Sequence, residues 1–497
     1  MLSNTVKLDP QKASPYRFEG WGTSLCWWAN RLGSSQKLTR QAAALFFSDE
    51  GLGLDIGRYN IGGGDDPSHK HIMRSDSKVP GYARGLDETG GFIWDWEADR
   101  NQRNCLLAAL KVNPHLYIEG FSNSPPWFLT VSGCSSGSAD AISDNLRPEA
   151  VEVFSRYIAE VTKKLRDDFG IVFQSYSPMN ESASPYWKAN SDKQEGCHFN
   201  PGESQSRMII ETRKALDNAG LQDVLVAGPD ETSIDETIAS VKLLSTEALA
   251  ALGRIDAHTY QGSLRSELKT LAEKLRKNLW MSEVDGNWAE EGAGNMSAGL
   301  GLARHILLDM NEMTPSAWVL WNIIDFHRSS FLDPRGRRSE ADTALSQDGG
   351  LWGVAMADHV TQEILLTQKY YVFGQFTRYI TPGDTILASS ENTLAAYTKE
   401  TGDIKITAIN ADNAVKHYVF DLSGFEKTGP AVKVIRTSGD FDGGEHWAEV
   451  DPIPIKKGQF QSELPAYSAT TFVITGNSDS CRRDGLSRGR ENQPGLI

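Results

Sequence analysis

Short apolar runs recur along residues 18–325, and each is followed by a stretch whose apolar positions fall at helical spacing. The strand-like runs are FEGWGTSL (18–25), LGLDIGRYNIG (52–62), HLYIEGFS (115–122), VFQSYSPMNE (172–181), DVLVAGPD (223–230), RIDAHTYQG (254–262), LWMSEVDG (279–286) and SAWVLWNI (316–323). The clearest helix is expected over PEAVEVFSRYIAEVTKKLRDDFG, where Val151, Phe154, Ile158, Val161 and Leu165 share one face. Pro148 suits its first turn and Gly170 its stop. Further helices are expected at 36–49, 98–112, 203–219, 235–251, 264–278 and 297–312. Eight β units alternating with helices predict an α/β fold, a (β/α)8 TIM barrel. An open doubly wound sheet competes, but no G-x-G-x-x-G turn follows the first strand.

After KYYVFGQFTRYITPG (369–383) the texture changes to short β-branched runs separated by Gly, Asn, Asp and Ser, which predicts an attached all-β sandwich domain. The expected division is a barrel over 18–375 and a sandwich built from 1–17 plus 376–475. Residues 476–497 lack apolar periodicity and read as a disordered tail. No repeat of fixed period is present.

Composition narrows the function classes. The formal charge of −15 argues against nucleic acid and anionic membrane surfaces as partners, since both reward Lys and Arg. No apolar run reaches the ~20 residues of a membrane helix. The start, MLSNTVKLDP, has no basic and apolar leader pattern, so the chain as written reads as cytoplasmic, and as secreted if a leader was removed. Five cysteines without a C-x-x-C pair disfavour a structural zinc site or a dense disulfide framework. One bridge, Cys134 to Cys197 between two loops, stays open. Several of the 13 tryptophans sit beside Gly, Pro or Asn, where flat apolar platforms for planar ligands or sugar faces would be carried.

In a (β/α)8 barrel, residues at the carboxyl ends of the strands converge on one face. The polar strand-end residues here are Arg58 and Asn60 with Asp65 beyond, Asn123 with Trp127, Asn180 and Glu181, Asp230 and Glu231, His258 and Tyr260, Glu283 and Asp285, and Trp321 and Asn322. Glu181 ends the fourth strand and Glu283 the seventh, on opposite sides of the barrel mouth. Two facing carboxylates are the minimum equipment for splitting a glycosidic bond. Either glutamate alone would read as a strand-end salt bridge; the pair, with Asn180 and nearby tryptophans, favours catalysis.

The segments FEGWGTSLCWW, IGRYNIGGG, SNSPPWFL, SPMNE, DAHTY and WMSEVDG resemble, in order, glycoside hydrolase family 30, a clan A family of retaining enzymes. The resemblance implies that Glu181 is the acid/base and Glu283 the nucleophile, that Arg58 helps hold Glu283 ionised, and that a drier Glu181 keeps its proton. It also implies sugar contacts from Asn180, Asp65, Trp127 and Trp321, and a Tyr260 that orients the nucleophile. It implies no cofactor and no metal, and an oligo- or polysaccharide substrate. GWGTSLCWWA and SNSPPWFLTVSGCSSG look most like the β-1,6-galactanase branch, with the glucosylceramidase-like, β-1,6-glucanase and xylanase branches as alternatives.

Other signals have plainer readings. IGGGDD lacks the Lys-Ser/Thr of a phosphate loop and reads as a close backbone approach. His69 and His71 in SHKHIMR could ligate a metal, but no third ligand stands at a recognisable spacing, so a rim loop is expected. GCSSG (133–137) satisfies G-x-S-x-G and would make Ser135 an esterase nucleophile, yet loop-like sequence surrounds it. NWAEEGAG (287–294) reads as a solvated loop with Trp288 at the border of a subsite. A non-catalytic carbohydrate-binding barrel is the rival from another class.

Overall fold

A computed structural model describes residues 4–73, 77–286, 292–328 and 351–476. The expectations for Trp288 and for the tail from 477 onward lie outside the described residues. Eight parallel strands close into a barrel in chain order: β1 (Gly20–Ser24), β2 (Ile56–Asn60), β3 (Tyr117–Phe121), β4 (Ser175–Ser177), β5 (Leu225–Ser233), β6 (Arg254–Gln261), β7 (Asn278–Val284) and β8 (Ala317–Leu320). β8 pairs with β1 from Ala317↔Gly20 to Leu320↔Thr23 and shuts the ring. The strands are covered on both faces, which is why they read as nearly continuous apolar runs. Gly20 is required where β1 enters: its φ is +139, and a Cβ there would meet the Asp55 Cβ at 2.5 Å.

β4 is shorter than its sequence suggests. Pairing stops at Ser177 because Pro178 has no N–H to give the ladder. Glu181 therefore stands past the strand end, in a left-handed conformation (φ 49), with its N–H donating to the Asp230 carbonyl at 2.7 Å. β5 instead runs beyond 230, and its register with β6 shifts beside Asp230, which bulges toward the barrel interior. The helix expected over 235–251 is two helices, Ile234–Leu243 and Thr246–Ala251. Ser233 and Ser245 each cap one by accepting a backbone N–H, from Glu236 and Ala248 respectively. Helix Val151–Phe169 ends at Gly170 (φ 68), as its sequence indicates.

The β-rich part holds a seven-stranded antiparallel sheet that runs from Ala13–Arg17 at one edge to Glu445–Pro454 at the other. A three-stranded sheet of Asn4–Lys7, Lys416–Asp421 and Gln459–Leu464 joins it. The rings of Phe420, Phe460 and Phe472 meet between them, with centroids 4.8 to 5.3 Å apart. Helix Gln368–Thr377 ties barrel to sheet: Gln375 donates to Thr437 Oγ1 at 2.8 Å, and Thr377 donates to the Leu52 carbonyl at 2.7 Å.

Candidate active site

The barrel floor is organised around one cation. Arg58, on β2, is fully buried, and its Nε donates to Glu119 Oε1 (3.0 Å), Nη1 to Glu283 Oε2 (2.9 Å) and Nη2 to Asp230 Oδ2 (2.5 Å). These partners come from β3, β7 and β5, so one guanidinium links four strands. Its face lies 4.1 Å over the Phe121 ring.

β6 contributes the second hub. His258 Nδ1 lies 3.1 Å from Glu181 Oε1 and 3.6 Å from Glu283 Oε1, and Nε2 lies 3.1 Å from Asp230 Oδ1. Tyr260, two residues on and so on the same strand face, donates to Glu283 Oε1 at 3.1 Å. Tyr186 donates to Glu181 Oε2 at 2.6 Å. One oxygen each of Glu181 and Glu283 and a ring nitrogen of His258 all lie within 4.8 Å of one another. Glu231 turns away and instead anchors the turn after Glu181, accepting the Ala183 N–H at 2.9 Å.

The electrostatics depart from the expectation that Glu181 is the drier, protonated carboxyl. Burial pushes both glutamates up. At Glu181 the His258 ring and the Tyr186 hydroxyl outweigh it and hold the carboxyl below its ordinary value. At Glu283 burial prevails against His258 and Arg58, with Glu181 and Asp230 adding to it, and the carboxyl is pushed up to about 7. Burial alone would lower His258, but Glu283 and Asp230 raise it well above the usual histidine value. The sequence could not show that the cation beside Glu181 would be a histidine shared with its partner.

The remaining expected residues divide. Asn180 is buried next to Glu181, and its Oδ1 has no hydrogen-bond partner among the described residues; nor do Oδ1 and Nδ2 of Asn322 at the end of β8. Trp321 packs edge-on to Trp27 at 5.1 Å, in a small cluster that includes Phe121. Trp127, half-buried in the turn after β3, stands edge-on to Phe128. Asp65 belongs to a separate group with His69, His71 and the Ser135 N–H. Sequence reasoning assigned no role to Glu119, Asp230, His258 or Tyr186. The first three carry a signal, a charged or polar residue inside a buried strand; Tyr186 is a loop residue without one.

Three other expectations resolve. Ser135 sits in a loop with no strand before it and no helix after it, so the nucleophile turn of G-x-S-x-G is not formed. The glycine run is a close backbone approach, since a Cβ on Gly63 would stand 2.3 Å from the Pro125 carbonyl oxygen. Cys134 and Cys197 are both free thiols and form no bridge.

Residues 4–223 match the family model described as O-Glycosyl hydrolase family 30. The chain is 29% identical to an endo-beta-1,6-galactanase of Hypocrea rufa, over 95% of each chain. Both matches support glycoside hydrolase family 30. The chain is also 24% identical to an exo-beta-1,6-galactobiohydrolase of Bifidobacterium longum subsp. longum, across 85% of its own length and 35% of that longer protein. Its fold matches a conserved exported protein from Bacteroides fragilis (TM-score 0.74, 19% identity, 95% and 100% coverage). It also matches the catalytic domain of GH30 xylanase C from Talaromyces cellulolyticus (TM-score 0.69, 17% identity, 95% and 100% coverage). The protein is a glycoside hydrolase.

Proposed function

We propose that the protein hydrolyses β-1,6-linked galactan by double displacement, with Glu283 as nucleophile and Glu181 as acid/base. The observation that carries this is the approach of the two glutamates, with one oxygen of each within 4.8 Å of the other. Retaining enzymes hold their carboxyl groups about 5–5.5 Å apart, whereas inverting ones need about 6.5–9.5 Å to admit a water between carboxylate and sugar.

Glu283 attacks the anomeric carbon as the glycosidic bond breaks, and Glu181 protonates the departing oxygen. Water then attacks the same carbon, gives its proton to Glu181, and releases Glu283. Arg58 and Tyr260, one on each oxygen of Glu283, aim the nucleophile. A proton held by Glu283 at rest has to leave before attack. His258 Nδ1, 3.6 Å from Glu283 Oε1 and 3.1 Å from Glu181 Oε1, supplies a route to the acid/base. Asn180 and Asn322 bring unpaired amide atoms for sugar hydroxyls, and Trp127 and Trp321 bring flat apolar faces.

Galactan is favoured over other polysaccharides by the Hypocrea rufa relative, which aligns over nearly the whole chain. The test is digestion of β-1,6-galactan, β-1,6-glucan and glucuronoxylan with product sizing. Sugar release from galactan alone is expected; release only from glucan or xylan overturns the substrate. A ladder of oligosaccharides marks endo cleavage and a single short product exo cleavage. Binding without turnover of any of the three would establish the non-catalytic barrel instead.

A further inference from the structure

We propose that Asp65, His69, His71 and Cys134 form a binding site for a single zinc ion on the rim of the barrel mouth. One ligand atom from each of the four lies within 4.8 Å of those of the others. His69 and His71 follow β2, and Cys134 follows β3 at a distance of 63 positions from His71, which is why no sequence spacing exposed the set.

The hydrogen bonds around the cluster leave its inner atoms facing one another. His71 Nδ1 lies 2.6 Å from the Ser191 carbonyl, which can only accept, so Nδ1 carries the proton. In the neutral ring Nε2 then presents a lone pair, 2.7 Å from Asp65 Oδ2 and 3.3 Å from Cys134 Sγ. His69 Nδ1 approaches the same carboxylate at 3.2 Å. Electron-pair donors converging in this way form a pocket that a cation would hold together.

The outer contacts fit a metal centre. The Ser135 N–H holds Asp65 Oδ1 at 3.0 Å, the Ser191 carbonyl fixes the His71 tautomer, and the Asn190 N–H donates to Cys134 Sγ at 3.4 Å. The Ser136 hydroxyl lies 3.2 Å from the same sulfur. Zinc bonds of about 2.0–2.3 Å imply ligand atoms roughly 3.3–3.6 Å apart in a tetrahedron. The separations of 2.7, 3.2 and 3.3 Å are close to this, and the remaining pairs lie within 4.8 Å. A thiolate with two imidazoles selects zinc over magnesium or calcium. Four protein ligands make the site closed, hence structural.

Its effect would be to fasten three loops that rim the cleft. Asp65, His69 and His71 lie after β2, Cys134 lies after β3, and His71 is tied to Ser191 in the segment after β4. Asp65, expected to touch sugar, becomes a ligand in this arrangement.

The test uses the full chain, dialysed against chelator and then titrated with zinc by calorimetry, with cobalt as a spectroscopic probe. One equivalent of zinc per chain, a rise in Tm on binding and a thiolate-to-cobalt charge-transfer band are expected. His71→Ala and Cys134→Ser, checked for folding by circular dichroism, are expected to lose all three signals. Absence of stoichiometric zinc and of the cobalt band in the wild type overturns the site. Full zinc retention in both variants also overturns it. Glu283→Gln is expected to lose turnover yet bind zinc normally, so failure of the galactanase reading and failure of the zinc site are separable.

Discussion

Arg58 Nη1 donates to Glu283 Oε2 at 2.9 Å, with the two side chains 0% and 5% exposed. The same guanidinium also serves Glu119 and Asp230, so its loss removes one charged donor from each of three buried carboxylates, leaving Arg254 on Glu119 and His258 on Asp230. Arg58→Met is expected to cost about 3–5 kcal/mol in stability, as for breaking a buried ion pair. Urea unfolding measures this. Arg58→Lys should recover little, because a single ammonium cannot replace a fork that reaches three strands.

Tyr260 donates to one oxygen of a carboxyl that burial has pushed up to about 7. A hydroxyl bonded to a carboxylate favours the ionised form, so Tyr260→Phe should raise Glu283 further. The nucleophile must be ionised, and the acid limb of kcat/KM should therefore move to higher pH. A pH profile reads this directly; an unmoved limb with reduced kcat would make Tyr260 merely structural.

The two glutamates should fail in different ways. Glu283→Ala is expected to abolish turnover with the fold intact, and azide should rescue it to the α-glycosyl azide. Glu181→Ala should lose about 10²–10⁴ in kcat on natural substrate, retain activity on an activated aryl glycoside, and give the β-azide. Full activity of Glu283→Ala would remove the double-displacement assignment.

The raised Glu283 carboxyl also predicts a pH dependence of stability. Between its ordinary 4.5 and about 7 the folded chain holds a proton that the unfolded chain has released. This contribution is whole below the unfolded value and is lost as pH rises through the folded one. Glu283→Gln, neutral throughout, should match the wild type near pH 4 and exceed it at pH 8 by roughly 3 kcal/mol, at about 1.4 kcal/mol per pH unit. Chemical denaturation at the two pH values tests it. A gain of this kind would show stability given up for function at one residue.

Much of the architecture is legible in the chain itself. Each barrel strand is covered on both faces by local necessity, so its apolar run announces it, and the intervening helices show their own period. Glu181 and Glu283 could be picked out because a carboxylate closing a buried run is costly without a purpose. The limits were equally physical. Pro178 ended β4 early and set Glu181 beyond it in a left-handed turn. Ser245 divided a helix whose apolar period continued through it.

What the sequence determined was the order of elements and the identity of the two facing carboxylates, since periodicity and strand-end position are properties of neighbouring residues. Only the tertiary structure decided where the protons rest, because that depends on His258 lying between Glu181 and Glu283 with Asp230 behind it. Likewise, only folding gathered Asp65, His69, His71 and Cys134. Their donor atoms meet because adjacent parallel strands deliver successive loops to one end of the barrel, a proximity that no local pattern can encode.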